Sequence, residues 1–201
     1  MNRLENWFCA SSLWRSFTRR HLLPWVLEDA GLGEHVLEVG AGFGAATEEL
    51  QRRTPRLTSL EYAADSVTRI AARRRGAVSG VVRGDAAALP FPDATFSAVV
   101  AILVLHHMRS LAAQDRAFAE IHRVLRPGGI FLAFEISDSW IGRVAHIRST
   151  FVPVAPAGVR ARLAAAGFSR ITVDFRRSAF RLRAVRAAEA AFHMEHAAAT
   201  S

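Results

Sequence analysis

Lysine is missing altogether from this 201-residue chain, and cysteine and tyrosine occur once each. A single cysteine, Cys9, excludes an intrachain disulfide, so a core must hold the fold, and a reducing, cytoplasmic setting is expected. Cys9 itself reads as a small core filler. The longest apolar run, Ala98 to Leu105, falls far short of the ~20 residues a membrane-spanning helix needs and has the length of a buried strand. Trp7, Trp14 and Arg15 stand where a secretory leader would have a plain apolar stretch, so export is not expected. With no lysine, all 26 cationic side chains are arginine, and against 18 acids they give a formal net charge of +8. A solvated basic surface accounts for that balance. No nucleic-acid-binding motif accompanies it, so no nucleic-acid partner is expected.

What is present is apolar material in alternating periods. Residues 2–29 have the spacing of an amphipathic helix interrupted at Pro24, with Trp7, Trp14 and Phe17 recurring on one side and Arg15, Arg19 and Arg20 beside them. Strands are expected at 36–39, 57–61, 78–82, 98–105 and 130–136, with helices over 45–53, 64–75 and 110–125 between them. Ser110 is the N-cap of the third, and Pro127-Gly128-Gly129 is its stop. A helix near 157–166 precedes two strands, 171–175 and 180–185, joined too tightly for a crossover. The pattern predicts an α/β fold: a Rossmann-like three-layer sandwich whose seven-stranded, mostly parallel sheet ends in an antiparallel strand.

The first strand runs into Gly40-Ala41-Gly42-Phe43-Gly44 and then a helix, a sharp turn at the carboxyl end of a strand, where open α/β sheets bind nucleotide-like ligands. Glu61 closes the second strand, where a carboxylate can accept both hydroxyls of a ribose. These residues alone suit NAD and S-adenosylmethionine equally well.

Downstream motifs separate the two. Val36 to Gly44, with Glu38 before the glycines, Gly84-Asp85-Ala86 followed by Leu89-Pro90-Phe91, Leu105-His106-His107, and Arg123 to Gly129 occur in order. In these the chain resembles the class I S-adenosylmethionine-dependent methyltransferases, in particular the small UbiE-like subgroup, over residues 34–186. The resemblance implies that Gly40, Ala41 and Gly42 lie against the methionine part of the cofactor with Glu38 beneath. It puts Glu61 on the ribose hydroxyls, Tyr62 beside the adenine, Asp85 and Ala86 at the adenine amino group, and Ala101 and Ile102 under the sulfonium. It departs from the family at Phe96-Ser97, where Phe-Asp is usual; this puts local capping in doubt.

Methyl transfer needs mainly positioning and exclusion of water. Where the acceptor is protonated a base is needed, and His106 and His107 are the candidates. Residues 1–33 are expected as a helical lid in which Trp7, Phe8, Trp14 and Phe17 cover the cleft. Residues 34–186 form the cofactor-binding domain and 187–201 an Ala-rich tail. The expected partner is a small apolar or aromatic acceptor, with peripheral membrane contact through the N-terminal helix as a further option. No metal site is expected: His193, Glu195 and His196 lack a further ligand. Two other readings stand beside methyl transfer: a rearrangement or cyclisation that uses the bound cofactor without transferring methyl, and a non-catalytic protein that keeps the fold.

Overall fold

The computed structural model describes residues 3–73, 79–138, 143–144 and 149–188. The expected tail beyond 188, with His193, Glu195 and His196, lies outside them. Seven strands form one sheet in the order β3-β2-β1-β4-β5-β7-β6. They are β1 His35–Val39, β2 Arg56–Glu61, β3 Ser79–Arg83, β4 Phe96–Ile102, β5 Leu125–Ile136, β6 Phe168–Arg176 and β7 Ala179–Arg186. Pairings among β1 to β5 are parallel, and β7 runs antiparallel to both β5 and β6. The Arg176–Ala179 hairpin imposes that reversal, and the sheet is the expected one.

Both faces of the central strands are buried, which explains their nearly continuous apolar sequence. Leu37, Val39, Val99, Ala101, Phe131 and Ala133 point to one side, where α6 (Leu111–Val124) and α7 (Pro156–Ala165) add Phe118, Ile121, Val159 and Leu163. Val36, Ala98, Val100, Leu132 and Phe134 point to the other, where they meet Leu50 of α4 (Thr47–Arg53) and Trp25 and Val26 of α3 (Leu23–Val26). A further helix, α5 (Ala64–Arg73), links β2 and β3.

The N-terminal segment departs from one interrupted helix. It comprises α1 (Arg3–Ala10), α2 (Ser12–Phe17) capped by Ser11, a π-helical turn over Thr18–Leu22, and α3. Pro24 has no N–H to offer the preceding turn, and the Leu23 N–H reaches Thr18 O instead, which widens the helix there. β5 also begins earlier than its Pro-Gly-Gly sequence suggests: Leu125 pairs with Phe96 before a register shift, and Pro127 to Gly129 are carried within the strand. Ser97 does the capping left open by the missing aspartate. Its Oγ accepts from His35 N at 3.0 Å and donates to Leu32 O at 2.7 Å.

Candidate cofactor site

The strand order changes direction between β1 and β4, and the loops leaving their carboxyl ends frame the crevice where such sheets take ligands. Each loop is held from beneath by a buried carboxylate. Glu38, 3% exposed, accepts from Thr47 Oγ1 at 2.8 Å and Ser59 Oγ at 2.6 Å, fixing the start of α4 and the middle of β2. Glu135, fully buried on the opposite face of the sheet, accepts from the backbone N–H groups of Val104 and Leu105 at 3.0 and 2.8 Å. It also meets His106 Nδ1 at 2.5 Å. Sequence reasoning passed over Glu135, because an acid near a strand end reads as an ordinary solvent-facing position.

The glycine loop itself is pinned to β2: Gly40 N and Ala41 N both donate to Leu60 O, and Gly42 N donates to Glu61 Oε2 at 2.7 Å. Gly40 has φ +70°, and a Cβ there would lie 2.2 Å from Val104 Cγ2. The absent side chain therefore makes room for the turn after β4 as well as for a ligand. Glu61, 9% exposed, also accepts from Ala63 N at 3.0 Å through Oε1. Each carboxylate oxygen has a second lone pair, so the group held here can still take two ribose hydroxyls. Asp85 is exposed and folds back on Ala87 N at 2.9 Å, with Ala86 buried beside it.

Ala101 is wholly buried and Ile102 half-buried at the end of β4. Leu103 then adopts a left-handed φ of +54°, rare for a branched side chain, which turns the chain sharply out of the sheet beside the crevice. Tyr62 is 60% exposed, and its hydroxyl accepts from Arg109 Nη2 at 3.2 Å, a link between the ends of β2 and β4 that the sequence did not suggest. Arg123 holds the Asp85 loop from α6: it binds Glu120, Asp93 and the carbonyls of Leu89 and Phe91, while Glu120 Oε2 accepts from Leu89 N. Those partners raise the Arg123 pKa, and the Arg123 hydrogen bonds hold Glu120 below its ordinary range.

The two histidines are arranged differently. His106 is 2% exposed, turned inward to Glu135 and packed edge-on against Phe151. His107 is half-buried, and its Nδ1 lies 3.2 Å from Thr150 O. Gln114 ties this turn to the segment after β5 by donating to Leu105 O and Val152 O. Arg162 is used structurally, on Asp115 and Gln114, and Arg160 on Ile171 O. Of the expected lid residues, Trp14 packs half-buried against the core cluster that includes Trp25 and Leu50, whereas Trp7, Phe8 and Phe17 are 71%, 43% and 47% exposed. Ser12, Arg15, Ser16 and Arg19 line a groove with Gly44, Ala45, Glu48 and Glu49, so α2 does run beside the glycine loop. Among the described residues there is no cluster of metal-ligating side chains, and no helix is long and apolar enough to cross a membrane.

A glycine turn at the switch point, a carboxylate ending β2 and an acidic loop after β3 stand together at the carboxyl ends of the parallel strands. Residues 37–133 match the family model described as a methyltransferase domain. It is similar to a demethylmenaquinone methyltransferase of Thermobifida fusca, 39% identical over 113 residues that cover 54% of this chain and 46% of the relative. It is also similar to a fatty-acid O-methyltransferase of Mycolicibacterium smegmatis, 40% identical over 104 residues, covering 50% and 36%. The chain thus spans less than half the length of these relatives. A solved S-adenosylmethionine-dependent methyltransferase from Mesorhizobium loti shares the fold with a TM-score of 0.67 at 17% identity, over 78% of this chain and 93% of that one.

Proposed function

We propose that this chain transfers the methyl group of S-adenosylmethionine to a small apolar or aromatic acceptor such as a lipid, a quinone or a secondary metabolite. The observation that carries the reading is Glu61, a carboxylate held at the end of β2 by Gly42 N and Ala63 N with acceptor capacity to spare. Bound there, the cofactor supplies a methyl group already activated by positive sulfur. The protein's work is then to place the acceptor in line and keep water out. Asp85 and the buried Ala86 backbone receive the adenine edge, and Ala101 and Ile102 floor the site. The quinone and fatty-acid names of the two relatives agree with an apolar acceptor.

The histidines divide the remaining work. His106 acts as a positioning residue, locking the turn after β4 through Glu135. His107 is the imidazole with surface left to meet an acceptor and remove a proton when one must leave. Residues 1–20 serve as the cover over the acceptor side.

Calorimetry and product analysis test the reading. The chain should bind S-adenosylmethionine, and Glu61→Ala and Asp85→Ala should each weaken binding about tenfold or more. S-adenosylhomocysteine should accumulate with the methylated acceptor. Turnover of an acceptor without S-adenosylhomocysteine would assign the site to non-methylating chemistry, and no binding at all would leave a fold without this activity.

A further inference from the structure

The N-terminal segment carries more exposed aromatic surface than a cover for the cleft explains. Alongside Trp7, Phe8 and Phe17, Leu13 is 73% exposed. Phe8, Trp14, Phe17 and His21 form a continuous row with ring centroids 5.3, 5.7 and 5.6 Å apart. Three sides of α2 and the following turn are distinguishable. Trp14, Thr18 and Leu22 face the protein; Ser12, Arg15, Ser16 and Arg19 border the glycine-loop groove; Leu13, Phe17 and Arg20 look outward. His21 and the adjoining Arg19 and Arg20 are all exposed.

The segment is moored at its C-terminal end by strong contacts. Trp25 of α3 lies under the guanidinium groups of Arg176 and Arg181, 4.5 and 5.4 Å from its ring. Arg181 also pairs with Glu28 and Asp174. The outward face upstream of this mooring is thus held in a fixed place beside the glycine loop while its aromatic side chains remain in water.

We propose that this face docks on an anionic lipid surface, seating Trp7, Phe8, Leu13 and Phe17 at the headgroup–acyl boundary with Arg19 and Arg20 on the phosphates. A lipid surface rather than a protein partner follows from the combination: tryptophan and phenylalanine beside arginine along an amphipathic segment, on a chain of net charge +8. Docking would bring the groove lined by Ser12 and Gly44 close to the bilayer, and with it the mouth of the site. That consequence rests on the methyl-transfer reading; the docking itself does not.

Full-length protein sedimented with vesicles tests it. Vesicles of equal parts phosphatidylcholine and phosphatidylglycerol should carry the chain down, phosphatidylcholine alone should do so at least tenfold less, and raised salt should release it. The double variant Leu13→Ser/Phe17→Ser should lose binding at least tenfold while still unfolding cooperatively, with a melting temperature lowered only by the loss of the Phe17 ring contacts. Arg19→Gln/Arg20→Gln should lose the preference for anionic lipid. No binding to the anionic vesicles, or binding indifferent to these substitutions, would overturn the proposal. So would concentration-dependent self-association that the Leu13/Phe17 variant abolishes, since that would give the face to a second copy. Cofactor affinity measured in parallel separates the two readings, because failure of docking leaves it intact.

Discussion

Glu135 illustrates how one buried side chain can set the shape of a loop far from it in sequence. Its two oxygens satisfy two backbone N–H groups and an imidazole nitrogen, all on the turn that leaves β4. Removing the carboxylate strands those donors, and each buried donor left without an acceptor costs about 1–3 kcal/mol. Glu135→Ala should therefore lower the unfolding free energy by roughly 3 kcal/mol or more, read as a lower urea midpoint, with Glu135→Gln losing less. Gly40→Ala should be comparably damaging to the site. It places a methyl group 2.2 Å from Val104 at a left-handed backbone angle, so cofactor affinity should fall along with stability.

Protonation also acts residue by residue. Burial, followed by the nearby Arg186, lowers the pKa of His122 from 6.5, while a hydrogen bond with the Gly167 backbone opposes the shift. Burial likewise lowers His35, helped by Arg56 and Arg126 and opposed by the Thr95 backbone. Both rings stay neutral in the folded chain at a pH where the unfolded chain has begun to bind protons. Stability from this source is thus complete above 6.5 and declines as pH falls through 6.5 toward the lowered folded values. Chemical denaturation across that window should show the decline, and His122→Gln should flatten it.

At the scale of elements, the strands were legible because burial on both faces leaves β1, β4 and β5 nearly all apolar. The glycine turn was legible because its residues announce a backbone that must bend. What escaped the sequence was long-range or context-bound. The start of β5 hid behind Pro127-Gly128-Gly129, a turn signal that the sheet overrides by pairing Leu125 with Phe96. Glu61, Asp85 and the glycines were readable as candidates because each stands at or just past the end of a strand. The roles of Glu135, Arg109 and Arg123 were not, because their partners, Glu120 aside, lie 29 or more residues away. The N-terminal segment was legible as helical but not in its π-turn. Deleting residues 1–20 should raise the acceptor KM severalfold while changing cofactor affinity little; equal loss of both would mean the segment supports the whole site.

The whole molecule places its two anchoring carboxylates on opposite faces of one sheet, Glu38 under the glycine loop and Glu135 under the turn after β4. Glu38 is held by Thr47 and Ser59, and Glu135 by Val104, Leu105 and His106. The sheet order has a separate bearing on how the chain is made. β6 has its sheet partner in β7 and none in β5, although it is synthesised before β7. A nascent chain that has emerged only through Arg176 therefore carries a strand with nowhere to pair, and β5 with an open edge. The sheet is completed only when residues 179–186 leave the ribosome and slide between the two.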